Sequence, residues 1–312
     1  MYIAPYLSDM MVDVVTADSL LTAADLQSAI DEADILLGDF TFARQITAAT
    51  IQNASKLKLI QQPSVGYQHI DVAACAAKKI PVANAAGAND KSVAEHTILL
   101  ALMLFKKVLY FHDRTRSGAW CQMEALQIGV SELAEKNWGV VGMGRIGREV
   151  AKRLVAFDVH VHYFDVNRLS PDEEARLQLT YLPLEKLLRK MDVVSLHIPL
   201  TDATRGMINA QTFTHMKPSA FLINVARGEL VDELALRDAL NSKRLAGAGL
   251  DVYSEEPIRP DLPILQAKNV VLTPHIAGTT SEARGRIIEV SLKNVIRVLK
   301  GEAPIHVVNG VL

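Results

Sequence analysis

An arginine, a glutamate and a histidine each follow one of three successive predicted strands: Arg227, Glu256 and His275. If those strands are neighbours in one parallel sheet, their carboxyl ends meet at the edge where ligands bind in such sheets. A cation can hold a carboxylate and polarise a carbonyl, a histidine can donate a proton, and a carboxylate can keep that histidine charged. Together the three residue types predict proton transfer to a carbonyl oxygen beside a carboxylate.

A glycine-rich segment precedes these strands, with the sequence V-V-G-M-G-R-I-G at 140–147. It falls where a predicted strand ends and a predicted helix begins. Gly142 permits a tight turn, Gly144 lets a pyrophosphate approach the backbone, and Gly147 lets the helix pack on the sheet. The first N–H groups of that helix face the phosphates. The segment therefore predicts a dinucleotide site.

The next predicted strand, 159–164, leads into Asp165, 18 residues after Gly147. A carboxylate at this place meets the ribose hydroxyls of a dinucleotide. Because it also repels a 2′-phosphate, Asp165 favours NAD over NADP, while Arg168, three residues on, keeps NADP open. If the bound dinucleotide supplies a hydride, the arginine, glutamate and histidine are the side chains that reduction of a 2-oxo acid needs.

The elements that position these residues alternate short β-branched runs with helical stretches, which predicts parallel sheets wrapped by helices. The first series has three strands and two helices, at 35–37, 57–61 and 81–84 and at 22–33 and 71–78. The second series has six strands, at 138–141, 159–164, 193–197, 221–224, 246–251 and 269–272. Six is the number of strands in a complete dinucleotide-binding fold.

Two more helices complete the prediction. Ser92 and Glu95 have the spacing of a capping box, which predicts one long helix from Ser92 to about His112. The last helix, 281–299, has no following strand of its own, and we expect it to return to the first series of elements.

The predicted fold is therefore α/β with two doubly wound parallel-sheet lobes. A Rossmann-type cofactor domain, 105–277, is inserted into a discontinuous flavodoxin-like substrate domain, 1–104 plus 278–312.

Composition narrows the class of protein. At about 150 residues per domain, the 312 residues predict two domains, and a net charge of −2 argues against a nucleic-acid partner. The longest strongly apolar run, 98–105, is far shorter than the roughly 20 residues of a membrane span, and no Lys or Arg precedes Arg44, which predicts no secretory signal. Cys75 and Cys121 lie far apart, which predicts a reducing cytosol and no zinc or other metal site.

Five motifs resemble those of the D-isomer-specific 2-hydroxyacid dehydrogenase family, in the family's order and over nearly the whole chain. They are G-M-G-R-I-G at 142–147, S-L-H-I-P-L-T at 195–201, M-K-P-S-A-F-L-I-N-V-A-R-G at 216–228, D-V-Y-S-E-E-P at 251–257 and T-P-H-I-A-G at 273–278. The resemblance implies an NAD-dependent enzyme that interconverts a small 2-oxo acid and its D-2-hydroxy acid.

The same resemblance implies a role for each site residue. Arg227 binds substrate, His275 is the acid/base, and Glu256 is its partner. Backbone N–H groups of Val65 and Gly66 hold the substrate carboxylate. The predicted cofactor-binding residues are Thr97, Gly142, Gly144, Arg145, Ile146, Gly147, Asp165, His197, Pro199, Thr204, Val225, Asp251, His275 and Gly278. The resemblance further implies a homodimer joined through the cofactor domains, with the region of Trp120 as a candidate contact.

Two alternatives stay open. Phosphoglycerate-oxidising relatives carry an arginine where this chain has Gln62, and a neutral amide lacks the charge that phosphate recognition favours. We therefore expect an unphosphorylated substrate, glyoxylate or hydroxypyruvate first. An NAD-sensing binding protein that resembles transcriptional corepressors is the second alternative, although this sequence shows no low-complexity tail. Formate-oxidising relatives have Gln in place of Glu256, which argues against that chemistry.

Overall fold

A computed structural model describes residues 12–16, 22–39 and 44–311 of the chain. The strands in this part of the chain are β1 (Ile35–Leu37), β2 (Leu59–Gln61), β3 (Val82–Ala83), β4 (Asn137–Val141), β5 (His160–Phe164), β6 (Thr180–Tyr181), β7 (Val193–Leu196), β8 (Phe221–Asn224), β9 (Gly247–Leu250) and β10 (Val270–Leu272). The α-helices are α1 (Ala23–Glu32), α2 (Val72–Ala77), α3 (Asp90–Phe105), α4 (Val108–Arg116), α5 (Gln122–Ile128), α6 (Arg145–Leu154), α7 (Pro171–Leu177), α8 (Leu184–Lys190), α9 (Ala210–His215), α10 (Glu233–Asn241) and α11 (Ser281–Leu299).

The protein is an α/β protein with two parallel sheets, and its chain divides into two compact units. One unit contains residues 1–89 and 279–312, and the other contains residues 90–278. The sequence prediction drew the first boundary after residue 104, whereas α3 packs against α6, β8 and β9 and so lies in the second unit. The substrate role of one part and the cofactor role of the other stay predictions.

The second unit contains a seven-stranded sheet with the order β10-β9-β8-β7-β4-β5-β6, in which every pair is parallel. From β4 the chain first runs outward to β6, then crosses back to β7 and runs outward the other way. All residues of β7 and β9 are buried, as expected for central parallel strands covered on both faces. The reversal between β4 and β7 is the place where such sheets bind ligands.

Helix α6 shows how the sequence builds this unit. Its buried residues are Gly147, Val150, Ala151 and Leu154, which recur at helical spacing and so form one apolar face. That face packs on the sheet, while Lys152 and Arg153 lie in the last turn, where positive charge is favourable.

The other unit contains a three-stranded parallel sheet with the order β1-β2-β3 in the described residues. Helix α1 begins with a capping box between Thr22 and Asp25. Helix α11 comes from the far end of the chain and contacts β2. There the Asn294 side-chain amide donates to Gln61 Oε1 at 2.7 Å and to the Ile305 carbonyl at 2.9 Å. Residues distant in sequence therefore share one buried polar contact.

The predicted single helix from Ser92 to His112 is wrong. Helix α3 already begins at Asp90, and the Ser92 hydroxyl donates to the Ala277 carbonyl at 2.5 Å instead of capping the helix. The helix ends because Lys107 adopts a left-handed backbone conformation with φ of 50°. A separate helix, α4, begins at the next residue.

The prediction of six strands in the second series missed β6, a two-residue strand at the sheet edge. Two residues are too few to show a period of two in the sequence. The helices of the described residues include none with the length and apolar character that a membrane crossing requires.

Candidate active site

The loops after β8, β9 and β10 carry the three predicted catalytic side chains. These three strands are neighbours at one end of the seven-stranded sheet. Because they are parallel, their carboxyl ends lie along one edge, and Arg227, Glu256 and His275 follow them in that order. The structure brings Glu256 and His275 into direct contact.

The contact between His275 and Glu256 joins Nδ1 to Oε2 over 2.5 Å. The other carboxylate oxygen, Oε1, accepts the backbone N–H of Tyr253 at 2.9 Å, so both oxygens of Glu256 are fixed. The His275 side chain is 40% exposed and therefore open to a ligand. Since Nδ1 faces Glu256, Nε2 is the ring nitrogen that can exchange a proton with a bound molecule.

Charge at this contact is set by burial, hydrogen bonds and neighbouring groups. Burial opposes ionisation of Glu256, but the hydrogen bonds from His275 and Tyr253 and the charge of Arg227 outweigh it, and the pKa of Glu256 lies below its usual value. Burial lowers the pKa of the Arg227 guanidinium, and the carboxylates of Glu256 and Glu229 oppose that shift. Arginine ordinarily titrates so high that Arg227 keeps its charge.

The backbone around Arg227 is held by the last residue of β8. The Asn224 side-chain amide donates to the Arg227 carbonyl at 2.8 Å, and Asn224 Oδ1 accepts the N–H of Ala226 at 3.1 Å. A Cβ at Gly228 would lie 1.8 Å from the Tyr253 carbonyl carbon, so the Arg227 and Glu256 loops touch there. The sequence analysis missed Asn224. Its place at a strand end was the available signal, because asparagine often bonds the turn backbone that follows it.

Asp251 holds the turn that presents His275. Its Oδ1 accepts the Thr273 hydroxyl at 2.6 Å and the Ile276 N–H at 2.9 Å, and its Oδ2 accepts the Ala277 N–H at 2.8 Å. His275 itself has a left-handed backbone with φ of 55°. Such strain in a non-glycine residue persists only where its surroundings enforce it. Asp251 was predicted as a cofactor contact; its contacts in the structure are with the His275 turn.

His96 on α3 stands behind the same turn and was not among the predicted site residues. Its Nε2 lies 3.0 Å from the Thr273 hydroxyl and 3.6 Å from Asp251 Oδ1. Burial lowers the pKa of His96, and the charge of Asp251 opposes that shift. A half-buried histidine near Asp251 is a signal that the sequence could not show, because α3 and β10 are far apart along the chain.

The glycine segment after β4 fits a dinucleotide. Gly142 has φ of 97°, and a Cβ there would lie 2.6 Å from the His197 carbonyl oxygen, so only glycine suits this turn. At Gly144, by contrast, the described residues place no heavy atom within 4 Å of a Cβ position. Helix α6 begins at the next residue without a side-chain cap from the described chain. Gly144 therefore leaves room for the close approach of a pyrophosphate, next to helix N–H groups that no side chain of the described residues caps.

Asp165 follows β5 beside this turn. Its Oδ2 accepts the Met143 N–H at 2.7 Å, and its Oδ1 accepts the Asn167 N–H at 2.8 Å. The carboxylate is thus held against the glycine segment, where the ribose of a dinucleotide belongs. Arg145 in the first turn of α6 pairs with Asp90 through Nε and Oδ2 at 2.9 Å.

The remaining predicted cofactor residues have mixed surroundings. The His197 N–H donates to the Val141 carbonyl at 2.8 Å, which places His197 against the glycine turn, and burial lowers its pKa. The Thr204 hydroxyl donates to the Pro199 carbonyl at 2.9 Å. Thr97 is fully buried, and its hydroxyl donates to the Val93 carbonyl within α3. Val225 directly follows β8 and is buried. Ile146 lies in the first turn of α6, and Gly278 is the last residue of the second unit.

The predicted substrate loop belongs to the other unit. The Ser64 hydroxyl donates to the Gly66 carbonyl at 2.7 Å, and the Asn84 side-chain amide donates to the Val65 carbonyl at 2.8 Å. Gln62 donates in turn to the Ser64 hydroxyl at 2.8 Å. The backbone carbonyls of this loop are thus fixed by polar side chains of its own unit.

Known proteins resemble this chain over most of its length. A family model for the D-isomer specific 2-hydroxyacid dehydrogenase NAD binding domain matches residues 98–277. The chain is 41% identical to the glyoxylate reductase of Thermofilum pendens over 266 residues, which are 85% of this chain and 78% of that protein. It is 37% identical to the D-3-phosphoglycerate dehydrogenase of Archaeoglobus fulgidus over 257 residues, which are 82% of this chain and 48% of that protein.

A solved structure is similar in fold. The D-lactate dehydrogenase of Aquifex aeolicus, complexed with NAD and lactic acid, aligns with a TM-score of 0.80 at 33% identity. The alignment covers 88% of this chain and 86% of that one.

Proposed function

The chain belongs to the D-isomer specific 2-hydroxyacid dehydrogenase family, and from this premise we propose that it reduces a small unphosphorylated 2-oxo acid with NADH. Glyoxylate and hydroxypyruvate are the first candidates. The observation that carries the proposal is the 2.5 Å contact of His275 Nδ1 with an ionised Glu256, within the electrostatic reach of Arg227. A proton donor and a cation stand together at the carboxyl edge of a dinucleotide-binding sheet, as reduction of a carbonyl beside a carboxylate requires.

In this mechanism the nicotinamide, when bound, supplies a hydride to C2 of the substrate. Arg227 binds the substrate carboxylate and polarises the adjacent carbonyl. His275 donates its Nε2 proton to the C2 oxygen, so the oxygen becomes the hydroxyl group of the product. Glu256 stabilises the imidazolium before the transfer through its contact with Nδ1. In the oxidative direction His275 takes the same proton back.

The choice of an unphosphorylated substrate is supported by Gln62. This side chain is fully buried, and its amide donates to the Asp39 carbonyl at 3.2 Å and to the Ser64 hydroxyl at 2.8 Å. A Cβ at Gly38 would lie 2.1 Å from Gln62 Oε1, so the amide is tightly enclosed. Gln62 is thus committed to its own unit and supplies no charge for a phosphate. The similarity to glyoxylate reductases points the same way.

NADH is the cofactor that Asp165 favours. Its carboxylate is held beside the glycine segment by the Met143 N–H and can accept ribose hydroxyls there. A 2′-phosphate at the same place would meet a negative charge.

A substrate panel tests the proposal. Turnover of NADH with glyoxylate, hydroxypyruvate, pyruvate and phosphohydroxypyruvate is compared by kcat/KM, and the configuration of the product is determined by chiral chromatography. We expect glyoxylate or hydroxypyruvate to be best and chiral products to have the D configuration. If phosphohydroxypyruvate is best by about tenfold or more, a difference near 1.4 kcal/mol, the Gln62 argument is wrong and a phosphoglycerate-type enzyme is the better assignment.

The same panel separates an enzyme from a dinucleotide-sensing binding protein. Such a protein binds NADH but turns over none of the four acids. Loss of turnover in His275→Gln, with NADH binding retained, identifies an enzyme.

We also propose a homodimer that works in the cytosol. The region of Trp120 carries exposed apolar side chains on and beside α5, and a second copy of the chain would cover them. The two separate cysteines, Cys75 and Cys121, are both free and suit a reducing compartment.

A further inference from the structure

Arg168 follows Asp165 by three residues, and its guanidinium is held on two sides. Its Nε donates to Glu174 Oε1 at 2.8 Å and its Nη2 donates to Oε2 at 2.9 Å, which makes a bidentate pair. The guanidinium carbon also lies 4.8 Å from the centre of the Tyr181 ring, within cation–π range. Glu174 is on α7 and Tyr181 is on β6, so both contacts draw Arg168 toward the edge of the sheet.

Glu174 is itself fixed from behind. The Tyr163 hydroxyl donates to Glu174 Oε1 at 2.6 Å and accepts the Leu169 N–H at 2.9 Å. Tyr163 is fully buried, and Tyr181 packs edge-on against it with 5.5 Å between ring centres. An isolated surface ion pair holds its groups weakly. This pair is anchored to a buried ring and to the backbone of the loop that follows Asp165.

We propose that Glu174 and Tyr181 help to set the preference for NADH by withholding Arg168 from the adenosine 2′ position. This inference rests on the cofactor site of the proposed function. Arg168 is the first Lys or Arg after Asp165 in the chain, and its guanidinium has the charge and fork that bind a phosphate. While both carboxylate oxygens of Glu174 engage it, removal of the repulsive Asp165 carboxylate does not release it. Glu174 is therefore a positioning residue for cofactor choice.

The experiment measures dissociation constants for NADH and NADPH by calorimetry, without substrate. The proteins are wild type, Asp165→Ser, Glu174→Gln and the double variant. We expect Glu174→Gln alone to change little, because Asp165 still repels the 2′-phosphate. The double variant should gain NADPH affinity about tenfold beyond the product of the two single effects, since one new charged contact to phosphate forms. Adding Arg168→Ala to the double variant should remove that extra gain.

A matched control removes one negative charge from the same helix but leaves the contacts of Arg168 with Glu174 and Tyr181 intact. Glu173 pairs with Arg148 at 2.7 Å, so Glu173→Gln combined with Asp165→Ser should show no extra gain. Tyr181→Leu releases Arg168 from the other side and should act in the same direction as Glu174→Gln. Melting temperatures establish that each variant is folded, and Glu174→Gln keeps an acceptor for Tyr163.

The possible failures are distinguishable. Wild-type protein that binds neither dinucleotide overturns the cofactor assignment of the proposed function and this inference with it. Protein that binds NADH, but whose double variants with Glu174→Gln and Tyr181→Leu gain nothing beyond additivity, overturns this inference alone. An equal gain with Glu173→Gln would also overturn it, because net charge and not the release of Arg168 would then explain the effect.

Discussion

In the proposed mechanism the two ring nitrogens of His275 have different tasks, because Glu256 contacts Nδ1 and Nε2 is left to move the proton. Replacing His275 by Gln should lower kcat for reduction by about 10²- to 10⁴-fold, the usual range for general acid catalysis. Binding of NADH should stay nearly unchanged, since the glycine segment is untouched. Steady-state kinetics and calorimetry measure the two effects. Turnover close to wild type would contradict the assignment.

Glu256→Gln tests the charge of the carboxylate while keeping its shape. Hydrogen bonds and Arg227 hold the pKa of Glu256 below its usual value, so this group is ionised across the neutral range. In the proposed mechanism that charge stabilises the imidazolium form of His275. Without that charge the imidazolium loses its proton more readily, and reduction activity should fall off at a lower pH than in wild type. The pH profile of kcat/KM measures the shift.

Glu255 is a matched control for this variant. It is adjacent in sequence but pairs with Arg259 at 3.0 Å, away from His275. Glu255→Gln should leave the pH profile in place. A profile that moves equally in both variants would show that general negative charge, and not the contact with His275, sets the pH dependence.

Among single residues, those that lie in a recognisable motif could be predicted from the sequence. Contacts between loops that are distant in the sequence could not. Glu256 and His275 could be predicted as partners because each lies in a long motif beside a predicted strand, although their catalytic roles stay predictions. The Asn224, Glu174 and Tyr181 contacts could not, since they depend on how turns meet after the strands are paired.

At the scale of elements, the Glu174–Arg168 pair ties the loop after β5 to α7, and its stabilisation should depend on pH. Hydrogen bonds from Arg168 and Tyr163 lower the pKa of Glu174 from its ordinary 4.5 to about 2. The folded-state pKa is therefore depressed, so the stabilisation is complete above 4.5 and is lost as the pH falls toward 2. The difference in melting temperature between wild type and Glu174→Gln should be constant near neutral pH and shrink in acid.

The same comparison in an Arg168→Ala background serves as the control. With the guanidinium gone, Glu174 keeps only the Tyr163 hydroxyl, and the pH-dependent difference should largely disappear. An undiminished difference would show that the tyrosine, and not the arginine, carries the stabilisation.

Element boundaries were predictable where the pattern was strong. Ser281–Leu299 and Phe221–Asn224 have the predicted bounds, because the helix is amphipathic with a clear period and the strand is a short apolar run of the kind that buried strands show. The continuous helix through Lys107 was wrong, since its residues suit a helix on either side of the break. The left-handed turn is at a lysine, so the sequence lacks the glycine that usually indicates such a turn.

At the scale of the whole molecule, the exposed side chains near α5 predict self-association. Trp120, Met123 and Leu126 are 85%, 68% and 74% exposed, which is costly for large apolar groups placed together. We expect a dimer by light scattering at micromolar concentration, and Leu126→Asp should give a monomer. Leu234→Asp, at a side chain 53% exposed on α10, should leave the dimer intact. Wild-type protein that scatters as a monomer would refute the dimer without affecting the fold.

The buried contact of Asn294 with Gln61 has a consequence for synthesis on the ribosome. Its two residues belong to one unit, yet the whole of residues 90–278 must be made between the two segments of that unit. At about 5–20 residues per second, these roughly 190 residues take on the order of 10–40 s. The inserted unit can fold during that delay, while the N-terminal segment waits with its apolar strands uncovered by α11. This protein should therefore most need a chaperone during the period of synthesis before α11 is made.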